Sequence, residues 1–120
     1  METLIVTLQL FVGLTIINVW LFRRDRPTQW RGGNANSMRE EFEAYGLPAT
    51  VMLTIGLIKL ALATALIVGI WIPSITAFAA AGLAITLLAA VIAHLRIHDP
   101  LKKSIPAATL MTMATALLIL

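Results

Sequence analysis

Four long runs nearly free of charge restrict this chain more than anything else in it. They cover residues 4–22, 48–71, 74–95 and 105–120. Each is close to the ~20 residues that cross a hydrocarbon core of ~30 Å at 1.5 Å per residue. Of the 120 residues 59% are hydrophobic and 12% charged, against about 25% charged in soluble domains. A water-soluble domain this small buries too little surface to hide so much apolar area. The expectation is one all-α membrane domain over residues 1–120, a four-helix transmembrane bundle.

The chain has no cysteine, which excludes disulfides, thiol catalysis and cysteine-ligated zinc or iron–sulfur centres. Its net charge of +3 has a topological explanation, so no nucleic-acid partner is expected. Eight of the nine Lys and Arg residues fall in the loops 23–47 and 96–104. The positive-inside rule then puts both loops in the cytoplasm and both termini outside it. A bacterial cytoplasmic (inner) membrane suits this arrangement. The first run has no basic residues before it and no small-residue cleavage site after it, so it reads as a retained helix. Trp20, Trp30 and Trp71 sit at or just beyond run ends, where indoles favour the headgroup layer.

The 23–47 loop opens with DRPTQWRGGNANS, whose Gly, Pro, Asn and Ser predict irregular backbone. Ser37 and Glu40 then have capping-box spacing, and Met38, Phe42 and Tyr45 recur at helical intervals. A short amphipathic helix at the cytoplasmic surface is expected, ended by Gly46 and Pro48. Within the membrane, small residues signal helix packing. Ala61, Ala65 and Gly69 form such a seam on the second run, on a different face from Lys59.

Lys59 is the one charge inside a run, in TIGLIKLALATALIVGIWIP. A central Lys opposes insertion by roughly 2.5–3.5 kcal/mol. The side chain leans toward the helix N-terminus, hence toward the cytoplasm. Gly56, one turn back, leaves space for its stem, and no run contains Asp or Glu to pair with it. Two readings stand. Lys59 either snorkels to the interface or faces a bundle cavity and meets a polar or anionic group of a ligand. Asn18, Gln9, water, backbone carbonyls and a lipid headgroup are its potential partners.

The second polar cluster is AHLRIHDP, residues 93–100. His94 and His98 share a face if the helix continues that far, but a firm metal site needs further ligands. Interfacial anchoring with C-terminal capping by cations competes with a place for His94 and Arg96 at a cavity mouth.

The order of features resembles the DoxX-like family of small four-helix membrane proteins. The markers are Gly46-Leu47-Pro48, Gly56, Lys59, Gly69, Pro73, Ala93, His94, Arg96 and Asp99. In many relatives the Lys59 position is acidic, with a Lys branch as well, and Gly is frequent where His98 stands. The resemblance implies a membrane bundle. Some members are subunits of a thiosulfate:quinone oxidoreductase or associate with redox-stress proteins, and a distant eukaryotic relative assists receptor assembly.

Three functions follow as expectations, with no reaction assigned to the chain itself. The first is a quinone- or lipid-binding accessory component of a membrane redox system, with Lys59, Gly56, Asn18, His94 and Arg96 at the ligand. Electrons would then pass through a bound lipophilic molecule or a redox partner subunit. The second is a non-catalytic assembly factor that recognises a partner's helices. The third, a small transporter, lacks the intramembrane carboxylate that proton-coupled cation export requires. Small-residue seams suit a homodimer as well as internal packing.

Overall fold

A computed structural model describes all 120 residues, Met1–Leu120, as an all-α protein. Helix α1 (Glu2–Ile17) runs into a π-helical turn at Asn18–Phe22. The short α2 (Met38–Ala44) precedes α3 (Ala49–Val68), α4 (Thr76–Arg96) and α5 (Ile105–Ile119). Three segments are long and apolar enough to span a membrane: Glu2–Phe22, Ala49–Val68 and Pro73–Arg96. The last helix, α5, has 15 residues and a length of about 22 Å, short of a ~30 Å hydrocarbon core. This is an integral membrane protein.

Only 25 of the 120 residues are buried. The bundle therefore turns most of its apolar side chains outward, among them Phe11, Leu57, Phe78 and Ile85, as lipid requires and water forbids. The core is built from Val12 and Ile16 of α1, Ala63 and Leu66 of α3, Leu83 and Leu87 of α4, and Ala114 and Leu117 of α5. Far from the loops, Gln9 of α1 is 2% exposed. Its Nε2 donates to the Leu66 carbonyl (3.1 Å) and to Thr76 Oγ1 (3.2 Å). That pairing fixes α1 against the α3–α4 connection and removes Gln9 from the partners open to Lys59.

The expected seam on α3 packs tightly only at Gly69, which is buried. Ala61 is exposed and Ala65 only partly buried, whereas Met52, Gly56, Lys59, Ala63 and Leu66 form the inward stripe. Charge and helix packing thus share one face, contrary to the sequence expectation. The physical reason is that lipid-facing and core-facing surfaces are equally apolar, so small residues alone do not orient a membrane helix.

Two Schellman turns shape the polar end. After α2, Gly46 takes φ +78°. The Gly46 N–H bonds the Glu43 carbonyl and the Leu47 N–H bonds the Phe42 carbonyl, which closes the helix in the usual 6→1 and 5→2 pattern. After α4, His98 takes φ +57°, with His98 N–H on Leu95 O and Asp99 N–H on His94 O. The helix ends at Arg96, so His94 and His98 do not share a helical face. Ser37 caps α2 as its spacing predicts, accepting from the Glu40 N–H at 3.2 Å. Glu40 reaches back to the Asn36 N–H rather than to that of Ser37.

Candidate functional site

The loop after α1 folds over the end of the bundle because Arg31 gathers it. Arg31 is 5% exposed. Its Nη2 donates to the carbonyls of Arg23 (2.8 Å), Arg24 (3.2 Å) and Arg26 (3.0 Å). Its Nη1 meets Glu41 Oε2 at 3.1 Å. A planar guanidinium with five donors suits such a cluster of acceptors, and a lysine does not. The loop is also fastened to the α4–α5 turn. The Gly33 N–H donates to Asp99 Oδ1 (3.1 Å) and Lys103 Nζ to Asn34 Oδ1 (3.1 Å).

Helix α2 packs its apolar face onto this end of the bundle. Met38 and Phe42 are buried. Phe42 stands edge-on between Trp20 and Tyr45, at centroid distances of 6.0 and 5.9 Å. Tyr45 Oη donates to Glu41 Oε1 at 2.6 Å and lies 3.4 Å from His94 Nε2. His94 Nδ1 lies 2.7 Å from Asp99 Oδ2. A continuous polar string, Arg31–Glu41–Tyr45–His94–Asp99, therefore joins the loop, α2 and the end of α4.

The electrostatics of the string follow from burial and neighbours. Burial first, then the charge of Glu41 and its hydrogen bond, hold the Tyr45 hydroxyl far above the ordinary phenol range. Burial acts upward on the Asp99 carboxyl as well. The hydrogen bonds from His94 and Gly33 and the positive charge of His94 and Lys103 outweigh it, keeping Asp99 below the usual carboxylate range.

Beneath the string lies a mostly apolar cavity of about 520 Å³, within the ~300–1,000 Å³ of small-molecule sites. Trp20, Tyr45 and Leu47 line it on one side, and Ala89, Ala90, Ala93 and Leu110 on the other. The alanines of α4 leave the volume open. Lys59 is on the wall, 8% exposed. Its Nζ has no hydrogen bond or ion pair within the chain, and the Trp20 ring stands 5.7 Å from it, nitrogen to centroid. The π-turn, a form that often marks functional positions, brings Trp20 inward while Leu21 and Phe22 face out.

Of the five residues expected at the ligand, the structure brings Lys59 and His94 to the cavity wall. Gly56 is buried behind it, and the space it leaves is filled by the Trp20 indole rather than by the Lys59 stem: a Cβ there would lie 2.7 Å from Trp20 Cε3 and Cζ3. Asn18 and Arg96 are exposed and off the wall. Arg31, Glu41, Tyr45 and Lys103, which sequence reasoning did not place at the site, line it. Glu41 and Tyr45 were readable as an i, i+4 pair on α2. Arg31 had no such signal and looked like one more cytoplasmic charge.

An apolar chamber inside a helical bundle, with the Lys59 ammonium unpaired on its wall and a polar string across its top, is the candidate site of this integral membrane protein. Residues 32–117 match the DoxX-like family, and the chain belongs to that family. No curated protein and no solved structure matches it.

Proposed function

We propose that this protein binds a lipophilic amphiphile, a quinone or a lipid, in the cavity beside Lys59. The observation carrying the reading is the ammonium itself: buried, without a partner in the chain, and on the wall of a chamber of ligand size. Isolating a charge from water costs several kcal/mol, and a ligand oxygen accepting from Nζ offsets that loss. The apolar tail lies along the alanine face of α4, where it touches methyl groups and no charge. Trp20 caps the ammonium from the other side with the face of its ring.

In this reading α5 completes a fourth crossing, tilted little and ending within the interface. The loop 23–47 and the α4–α5 turn face the cytoplasm, where their basic residues belong. The ligand reaches the chamber from the bilayer, and the Arg31-held loop keeps the aqueous side shut. An accessory place in a membrane redox system follows if the ligand is a quinone. Lys59 would then stabilise negative charge developing on its carbonyl oxygen.

Mass spectrometry of lipophiles retained by detergent-purified protein tests the proposal. A stoichiometric lipophile is expected in the wild type and its loss in Lys59→Met. Ala93→Leu, which fills the chamber without touching the charge, should lose it too. Absence of any bound lipophile from wild type and variants alike contradicts the reading.

A further inference from the structure

The charges around the chamber are unevenly matched. Arg31 faces Glu41 at 3.1 Å, and Glu41 is further occupied by the Tyr45 hydroxyl. Lys103 Nζ donates to Asn34. Asp99 is engaged by His94 and by the Gly33 N–H and does not line the chamber. The wall also includes Arg23, which is exposed at the loop end. Lys59 and Lys103 are both buried cations on this wall with no carboxylate at ion-pair distance, and Lys59 alone lacks a hydrogen bond as well.

A neutral acceptor, such as a carbonyl, would satisfy one N–H of Lys59 and leave its charge uncompensated in apolar surroundings. An anion compensates the charge as well, through a shorter and stronger charge-assisted bond.

We infer that the occupant is an anionic amphiphile, its acidic head on Lys59 Nζ and its chain beside Ala89, Ala90 and Ala93. This rests on the reading that the chamber holds a lipophile, and it narrows the class. The negative charge comes from a fatty-acid carboxylate or from the phosphodiester of an acidic glycerophospholipid.

Trp20 lies on the chamber wall and reports occupancy directly. In nanodiscs of zwitterionic phosphatidylcholine, protein carrying Trp30→Phe and Trp71→Phe leaves Trp20 as the only indole. Dibrominated stearic acid, at a pH that ionises it, should quench Trp20 at a membrane concentration about ten-fold below that needed for its methyl ester, the scale of one charge-assisted contact. Lys59→Met should bring acid and ester together, and Lys59→Arg should keep them apart. Brominated phosphatidylglycerol distinguishes the sources: quenching by it as well identifies the phosphodiester, and quenching by the acid alone identifies the carboxylate. Equal quenching by acid and ester in the Lys59 protein overturns the anion and leaves the lipophile reading intact. Quenching of Trp20 no stronger than that of a protein whose only indole is the exposed Trp71 overturns both. The comparison of acid with ester needs no substitution at Lys59, so a poorly folding variant does not decide it.

Discussion

The indole of Trp20 occupies the space that a side chain at Gly56 would need. A Cβ at position 56 would lie 2.7 Å from Cε3 and from Cζ3 of the ring, and Trp20 in turn stands over the Lys59 ammonium. One glycine on α3 thus sets where the aromatic wall of the chamber lies.

Gly56→Ala should therefore destabilise the bundle although alanine is the better helix former. The overpacking of a rigid ring costs about 1–3 kcal/mol, against about 1 kcal/mol gained in helix propensity. Thermal unfolding in detergent should show a lowered midpoint, and adding Trp20→Leu should restore most of it. An unchanged midpoint in the single variant would mean that α1 and α3 separate freely at this height.

Arg31 is the staple of the loop. Arg31→Met would leave Glu41 partly buried without its cation and three carbonyls without their donor, a loss of about 3 kcal/mol on the scale of broken buried pairs. Amide exchange should accelerate across residues 23–36 and little in α4. Arg31→Lys should recover only part of the protection, because an ammonium lacks the fork that reaches all these acceptors. Full protection in the Lys variant would refute the staple.

Tyr45 is the only tyrosine in the chain, so its ionisation can be followed by phenolate absorbance without interference. Its hydroxyl is held far above the ordinary phenol value of about 10 by burial and by Glu41. The native protein should show no phenolate up to about pH 11, while the unfolded chain titrates near 10. Since the folded state binds this proton more tightly, its stabilising effect is complete below the unfolded pKa. It fades as the pH rises through the folded one. Glu41→Gln should bring the transition down; a native titration near 10 would remove Tyr45 from the string.

His98 holds φ +57° at the end of α4, a conformation that disfavours a side chain by roughly 1–2 kcal/mol. His98 is exposed, so His98→Gly relieves that strain at no loss of packing. We expect stabilisation of about 1 kcal/mol and retention of the Asp99 contacts to His94 and Gly33. His98→Val should destabilise to a similar extent, because a β-branched residue tolerates this region least. Lower stability in the Gly variant would show that His98 contributes more than a turn.

The helices were legible because lipid selects long uncharged runs whatever their neighbours are. The Ser37 cap and the Gly46 turn were legible for a local reason: each is satisfied within a few residues of sequence. The inward face of α3 was not, since Ala61 toward lipid and Ala63 toward the core are chemically alike. The site was half legible. Lys59 stands out as a charge among apolar residues, and His94 carries the resemblance to the family. Asn18 is placed there by depth and Arg96 by its place beside His94 and in the resemblance, and the π-turn and the end of α4 carry both outward. The Arg31–Glu41 pair joins residues ten positions apart through an irregular loop, for which no periodicity speaks.

The most direct measurement is a structure of the protein in a lipid nanodisc, inspected at Lys59. The account predicts elongated density whose head lies about 3 Å from Nζ, at hydrogen-bond distance, and whose tail follows Ala90 and Ala93. A Lys59 side chain turned out among acyl tails, or bonded only to backbone carbonyls with the chamber closed, would contradict it.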